Sequence, residues 1–196
     1  MEELNQFPQE NLSEQPSGEK TMNWKKEALE WGKSLFWAAL VVAVVFGFIL
    51  KPVEVKGSSM EPTLHNQDRL IIYRLMYTPK VGDVVILDED TGLNEALVKR
   101  VIATEGQMIY IEEDGRVNVD GVYIDEPYIT EPISKGRRGD HDYPVLVPKD
   151  CVFVLGDNRN HSTDSRFAAV SFVSVDHVVG KVVFRILPFH DFGLIH

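Results

Sequence analysis

Cysteine, positive charge and long apolar runs are all scarce in this sequence of 196 residues. The single cysteine, Cys151, excludes an intramolecular disulfide and a cysteine-rich zinc site, and its apolar neighbours favour a buried thiol. The formal net charge is −10, which argues against a broad nucleic-acid-binding surface, because phosphate contacts need basic residues. The sequence also has no internal repeat and no glycine-rich phosphate loop.

One apolar run has no charged residue within it, from position 34 to 50, and Lys33 and Lys51 flank it. A helix needs about 20 residues to span a bilayer, with about 17 as the lower bound, and flanking lysines and tryptophans extend it. We therefore predict one N-terminal transmembrane helix over residues 34–51. A buried core helix is the alternative. A cleaved secretion signal is disfavoured, because the sequence after the run has no small-x-small cleavage site.

Residues 1–20 are polar and cannot bury enough apolar surface to fold, so we predict a largely disordered tail over residues 1–33, with a helix that could start near Trp24. Lysines are more frequent before the apolar run than just after it. The positive-inside rule then predicts a single-pass protein of the plasma membrane with a cytoplasmic N-terminus. Residues 52–196 would form an extracytoplasmic domain.

Short β-branched runs alternate with turn signals throughout residues 52–196. Asp114-Gly115 and Asp120-Gly121 are typical of hairpin turns, because glycine accepts a positive φ. We predict a mostly β fold. The stretch 106–148 is richer in charge, glycine and proline, which indicates a small β-rich excursion from the main body.

Three segments of this domain contain side chains that could take part in catalysis: GSSMEPTL at 57–64, ALVKRVI at 96–102 and LGDNRNHSTDSR at 155–166. Taken alone, the first is more typical of a turn than of a nucleophile. In the second, strand alternation places Lys99 on the face of Leu97 and Val101, where desolvation would lower its pKa, unless that face is solvated. The third is a surface loop or a hydrogen-bonded buried segment, in which Asp164 and Arg166 can form an ion pair.

Together, in this order after an apolar N-terminal run, the three segments resemble the type I signal peptidase family, in its compact single-span Gram-positive form. The resemblance covers about residues 34–187. It implies a β-rich catalytic core with a small β-rich cap, preceded by the transmembrane helix. It also implies a membrane-bound serine endopeptidase that removes signal peptides from secretory precursors after Ala-x-Ala-like sites.

Position by position, the resemblance implies Ser59 as the nucleophile and Lys99 as the general base. Ser162 matches the residue whose hydroxyl hydrogen-bonds the lysine amine. Asp164 and Arg166 match a supporting ion pair, and Asp157 supports the same segment. Residues matching the family's substrate pocket are Val53, Val55, Met60, Leu64, Leu97 and Val98.

A neutral lysine can replace histidine as the base for a serine nucleophile, and the reaction then proceeds through an acyl-enzyme. This chemistry needs no cofactor and no metal, so we do not expect His65, His141 or His161 to be metal ligands. The expected partners are secretory precursors and the lipid bilayer.

Longer family members have a serine two residues before the nucleophile, whose hydroxyl helps to bind the oxyanion; this sequence has Gly57 there. The second donor could be a backbone N–H of the glycine turn, the Ser58 hydroxyl or a water, and the backbone is favoured. Two other functions compete with the peptidase. A self-cleaving Ser-Lys regulator would need a DNA-binding domain, and a membrane-tethered binding module would have no need of Ser59, Lys99 and Ser162 together.

Overall fold

The computed structural model describes residues 24–195, which divide into two compact units with the boundary after Leu40. Of the tail predicted over residues 1–33, residues 1–23 lie outside the described residues, whereas residues 24–33 are helical and not disordered. Helix α1 spans Trp24–Val44, and a π-helical turn follows over Val45–Ile49. The large apolar side chains of α1, among them Trp31 and Leu35, are exposed.

No helix in the described part of the chain combines the length and the apolar composition that crossing a bilayer requires. The transmembrane helix expected over residues 34–51 is therefore not confirmed. Its C-terminal end has a different structure, because Leu50 and Lys51 begin strand β1, which pairs with a neighbouring strand.

All other regular structure after residue 49 is β-strand or short 3₁₀ turn, as the alternating sequence predicts. The strands are β1 (Leu50–Glu54), β2 (Arg69–Tyr73), β3 (Val84–Leu87), β4 (Leu97–Thr104), β5 (Met108–Ile111), β6 (Val117–Val119), β7 (Val122–Tyr123), β8 (Val145–Leu146), β9 (Cys151–Leu155), β10 (Val173–Ser174), β11 (Val178–Leu187) and β12 (Gly193–Leu194).

The strands form two antiparallel sheets. The large sheet has the order β1-β2-β11-β3-β4-β9-β10, with β12 also on β11; the small sheet has the order β7-β6-β5-β8. The small sheet runs from Met108 to Leu146, inside the stretch where the sequence suggested an excursion. Asp120 and Gly121 both have positive φ and join β6 to β7, which confirms that hairpin turn.

The large sheet is buried on both faces where it supports the predicted site. One apolar cluster places Ile102 and Phe153 of the large sheet against Ile109 and Val117 of the small sheet. Two further apolar clusters pack on the large sheet. One contains Met60, Leu64 and Val84, and the other contains Val85. Strand β4 therefore has buried positions on successive residues, and a charged side chain in it is removed from water.

Candidate active site

Ser59 lies in a tight turn shortly after β1, which we call the serine turn (residues 57–61). Gly57 has φ +85°, and a Cβ there would touch nothing, so the backbone angle and not lack of space calls for glycine. The turn is closed by a hydrogen bond from the Glu61 N–H to the Ser58 carbonyl, at 3.2 Å. Met60 is buried in the apolar cluster beneath, which leaves Ser59 half-buried at the surface.

Lys99 extends from β4 to the serine turn, and its Nζ lies 2.9 Å from Ser59 Oγ. The ammonium also donates to the Val98 carbonyl, at 3.0 Å. The side chain is buried, with Lys99 only 2% exposed. Among the described residues, Lys99 has no carboxylate within ion-pair distance.

Burial lowers the pKa of Lys99 to about 8, because desolvation penalises the ammonium form. The charges of Asp164, Glu95 and Asp157 act in the opposite direction and raise the pKa, and Arg166 lowers it further. Desolvation outweighs the carboxylates because none of them contacts Nζ. A substantial fraction of Lys99 is therefore neutral at mildly alkaline pH and can accept a proton.

Asp157 joins the three segments that the sequence singled out. Its carboxylate receives two hydrogen bonds from Arg100, the neighbour of Lys99 in β4, at 2.9 and 2.8 Å. Thr63, just after the serine turn, donates its hydroxyl to the same carboxylate at 2.5 Å. The roles of Thr63 and Arg100 were not predicted, although both residues lie inside the quoted segments. The available signal was that each is a polar residue among apolar neighbours.

Asp164 and Arg166 form a bidentate ion pair with both side chains fully buried, at 2.8 and 2.9 Å. Asp164 also accepts the N–H of Gly156, and Arg166 donates to the Arg159 carbonyl. The side-chain hydrogen bonds of these two residues tie the polar segment 155–166 to itself and to the Arg137 carbonyl. The pair thus holds the segment that lies against the serine turn.

The hydrogen bond expected from the Ser162 hydroxyl to the Lys99 amine is not formed. Ser162 Oγ is buried and has no hydrogen-bond partner among the described residues, while Nζ is occupied by Ser59 and Val98. The hydroxyl instead lies against Gly156, where a Cβ would come within 2.3 Å of it and 2.5 Å of the Ser59 carbonyl. Gly156, which sequence reasoning missed, is therefore required by close packing behind Ser59.

Five of the six predicted pocket residues meet in a single apolar cluster, whereas Leu97 belongs to another, with Val85 and Val101. The reason is strand alternation: neighbouring residues of β4 point to opposite faces, so Leu97 and Val98 cannot line the same wall. Of the five, only Val53 and Val98 are partly exposed and able to touch a bound peptide. The others support them from below: Val55, Met60 and Leu64.

A possible metal-binding group lies elsewhere in the molecule. Ligand atoms of Asp88, Asp90 and His177 lie within 4.8 Å of one another, and none of these residues belongs to the predicted site. His177 Nδ1 is 3.1 Å from both oxygens of Asp88, so the imidazole already has a carboxylate partner.

The sequence matches a family model described as signal peptidase, peptidase S26, over residues 28–187. It is 34% identical to signal peptidase I of Bacillus licheniformis over 182 residues, which is 88% of this chain and 96% of the relative. It is 36% identical to signal peptidase IB of Staphylococcus aureus (strain N315), over 86% of this chain and 94% of the relative. The solved structure of a signal peptidase I from Enterococcus faecalis V583 is 26% identical and covers 54% of this chain and 97% of its own, with a TM-score of 0.44.

Proposed function

Because this chain belongs to the signal peptidase family, peptidase S26, and is a serine peptidase, we propose that it cleaves signal peptides from secretory precursors with Ser59 as nucleophile and Lys99 as base. The 2.9 Å contact between Lys99 Nζ and Ser59 Oγ supports this most directly. The pKa of about 8 supports it further, because a general base works best when its pKa lies near the operating pH.

The reaction begins when neutral Lys99 accepts the Ser59 hydroxyl proton as Oγ attacks the scissile carbonyl carbon. The tetrahedral intermediate then collapses, and the protonated lysine gives its proton to the leaving amine of the mature protein. The signal peptide remains as an ester on Ser59. Water, deprotonated by Lys99, hydrolyses this ester and frees the enzyme.

The developing oxyanion needs hydrogen-bond donors, and the Ser59 N–H makes no hydrogen bond within the described residues. The Gly57 N–H is different: it donates to Asn66 Oδ1 at 3.0 Å. The backbone arrangement favoured from the sequence therefore fails for the Gly57 N–H, because that group is engaged. The remaining candidates for the second donor are the Ser58 N–H, which makes no hydrogen bond within the described residues, the exposed Ser58 hydroxyl and a water.

Substrate preference is proposed to follow from the half-buried Val53 and Val98, which pack against the same apolar cluster as Met60, the residue after Ser59. Branched apolar side chains with a close-packed layer beneath them leave room for small groups only. This favours alanine-like residues at positions −1 and −3 of the precursor. No ionised group is needed for such contacts.

We further propose that residues 34–51 attach the protein to the plasma membrane, with residues 1–33 cytoplasmic and residues 52–196 outside. The support is the uncharged apolar run and the lysines that flank it. Protease added to cells stripped of their wall should digest the domain after residue 52 and spare the tail. Protection of that domain would contradict the proposed topology.

The decisive experiment is incubation of the purified full chain with a secretory precursor, followed by mapping of the cut. Cleavage after a small-x-small site is expected for the wild type and none for Ser59→Ala. Ser134→Ala is the matched control, since it removes the hydroxyl of an exposed serine that makes no side-chain cap hydrogen bond. Substantial cleavage by Ser59→Ala, with host peptidases excluded, would contradict the assignment of the nucleophile.

A further inference from the structure

Asn158 follows Asp157 in the polar segment and contacts the serine turn twice. Its backbone N–H donates to the Ser59 carbonyl at 3.0 Å. Its side-chain Nδ2 donates to the Ser58 carbonyl at 3.1 Å. One residue thus holds the carbonyls on both sides of the Ser59 backbone nitrogen and Cα.

The side chain of Asn158 does not cap the helical turn that follows it. It immediately precedes a 3₁₀ turn, Arg159–His161, where an asparagine side chain ordinarily caps the turn. Here it makes no cap hydrogen bond. It donates instead to Ser58, which lies 100 residues earlier in the sequence. Only the amide nitrogen can serve in this contact, because a carbonyl accepts and does not donate.

The position of Asn158 is itself well fixed. The preceding residue, Asp157, is buried and forms the bidentate ion pair with Arg100. Because Arg100 is the neighbour of Lys99 in β4, the support behind Asn158 is the same strand that presents Lys99. Asn158 and Asp157 therefore connect the serine turn to the strand that presents Lys99.

A trans peptide has its C=O and N–H on opposite sides, and the bond between Ser58 and Ser59 is not among the cis bonds of the described chain. Fixing the direction of the Ser58 carbonyl therefore also fixes the direction of the Ser59 N–H. Two donors hold that carbonyl: the Glu61 N–H, within the turn itself, and Asn158 Nδ2, from outside it. Of these, only the contact from Asn158 can be removed by changing a side chain.

We propose that Asn158 is a positioning residue that aims the Ser59 N–H at the oxyanion of the acyl-transfer reaction. The inference rests on the proposed function, since it assigns a role within that reaction. Asn158 does not touch the reacting atoms, so its effect is expected on the transition state and not on substrate binding. It should also leave the proton affinity of Lys99 unchanged.

Asn158→Ala keeps the backbone hydrogen bond and removes only the side-chain contact. We expect kcat to fall by about tenfold to a hundredfold, less than the 10²–10³ typical when an oxyanion donor is deleted outright, because the N–H remains but is less well aimed. KM and the midpoint of the pH profile should stay at the wild-type values. Asn158→Asp, which has the same shape but presents an acceptor to the Ser58 carbonyl, should lose at least as much.

Asn160→Ala is the matched control, because this asparagine lies two residues away and donates instead to Glu131 and the Pro132 carbonyl. Its kcat should remain near that of the wild type. Equal losses in Asn158→Ala and Asn160→Ala would overturn the proposal, since they would reflect general loosening of the polar segment. A shifted pH midpoint in Asn158→Ala would also overturn it, because the effect would then act through Lys99.

Residual dipolar coupling of the Ser59 N–H gives a readout that is independent of activity. The coupling should change in Asn158→Ala and not in Asn160→Ala; an unchanged coupling in Asn158→Ala overturns the positioning role. If the wild type cleaves no precursor, the proposed function fails, and the dipolar coupling still decides whether Asn158 orients the N–H.

Discussion

The buried arginines around the polar segment and the buried lysine at the serine turn are accommodated in opposite ways. In the polar segment and the strand beside it, Arg100, Arg159 and Arg166 are buried, and each is paired with a carboxylate. One residue before Arg100, Lys99 is equally buried at 2% exposure, but within the described residues its amine hydrogen-bonds only a hydroxyl and a carbonyl.

The difference follows from the chemistry of the two side chains. A guanidinium keeps its proton at any ordinary pH, so burying it requires a carboxylate partner. A lysine can respond to burial by releasing its proton, and its pKa falls accordingly. The paired region therefore provides rigid support, whereas the unpaired Lys99 can act as a base. We expect the following changes to reverse or sharpen this contrast, from the largest effect to the smallest.

Exchange of the base for a permanent cation should give the largest effect. Lys99→Arg is expected to lower kcat/KM by more than about a thousandfold, as much as Lys99→Ala, because a guanidinium cannot accept the Ser59 proton. Precursor cleavage by the purified variants measures this. Activity retained in Lys99→Arg alone would mean that position 99 supplies charge and not a base.

Replacement of each cation by methionine should change stability in opposite directions. Arg100→Met leaves Asp157 buried without its partner and should lower the free energy of unfolding by about 3–5 kcal/mol. Lys99→Met removes an unpaired buried ammonium and should raise the melting temperature near neutral pH.

The stabilisation expected for Lys99→Met should depend on pH with a definite sign. Because the folded pKa of Lys99 is about 8 and lies below its ordinary value of 10.5, the cost of burying the charged form is fully present below about pH 8. It disappears as the pH rises toward 10.5, so the advantage of Lys99→Met should shrink over that range. Thermal unfolding followed by circular dichroism at several pH values measures it, and a constant advantage would contradict the lowered pKa.

Wild-type activity should itself rise with pH as Lys99 loses its proton. With a pKa of about 8, kcat/KM should increase on the order of a hundredfold between about pH 6 and pH 9 and then level off. The rate of precursor cleavage across this range tests the expectation. A flat profile would argue against a lysine base.

Ser162 should give the smallest effect, because its hydroxyl has no hydrogen-bond partner to lose in the part of the chain that the structure describes. Ser162→Ala should leave the melting temperature unchanged or slightly raised, since an unsatisfied buried hydroxyl contributes no net stability. Turnover should fall by less than about tenfold, since only a neutral hydroxyl next to Ser59 is removed. A much larger loss at unchanged stability would mean that the hydroxyl engages Lys99 during the reaction.

Much of the fold could be predicted because strands and hairpins depend on local pattern. The runs around Ile71, Val85 and Phe153 became strands, and Asp120-Gly121 became a two-residue turn, since β-branched side chains and positive φ act within a few residues. The end of the apolar run is different, because Leu50 lies in strand β1. Composition alone does not reveal that this residue pairs with Tyr73.

The candidate site was predictable as a set of residues but not as a set of contacts. The segments containing Ser59, Lys99 and Asp157 were recognisable from their residue types and order. The separation of Leu97 from Val98 follows from alternation, but which face borders the serine turn depends on how the strand packs.

The sequence by itself determined which groups are available for chemistry: a serine in a glycine turn, a lysine in an apolar strand, and a polar segment with matched charges. Only the tertiary structure decided how they are used. Over residues 24–195, it left the Lys99 amine without a carboxylate partner, engaged the Gly57 N–H with Asn66, and brought the Asn158 amide onto the Ser58 carbonyl. The physical reason is that these hydrogen bonds join atoms held by different elements, and their short range makes them depend on register and packing that no local pattern specifies.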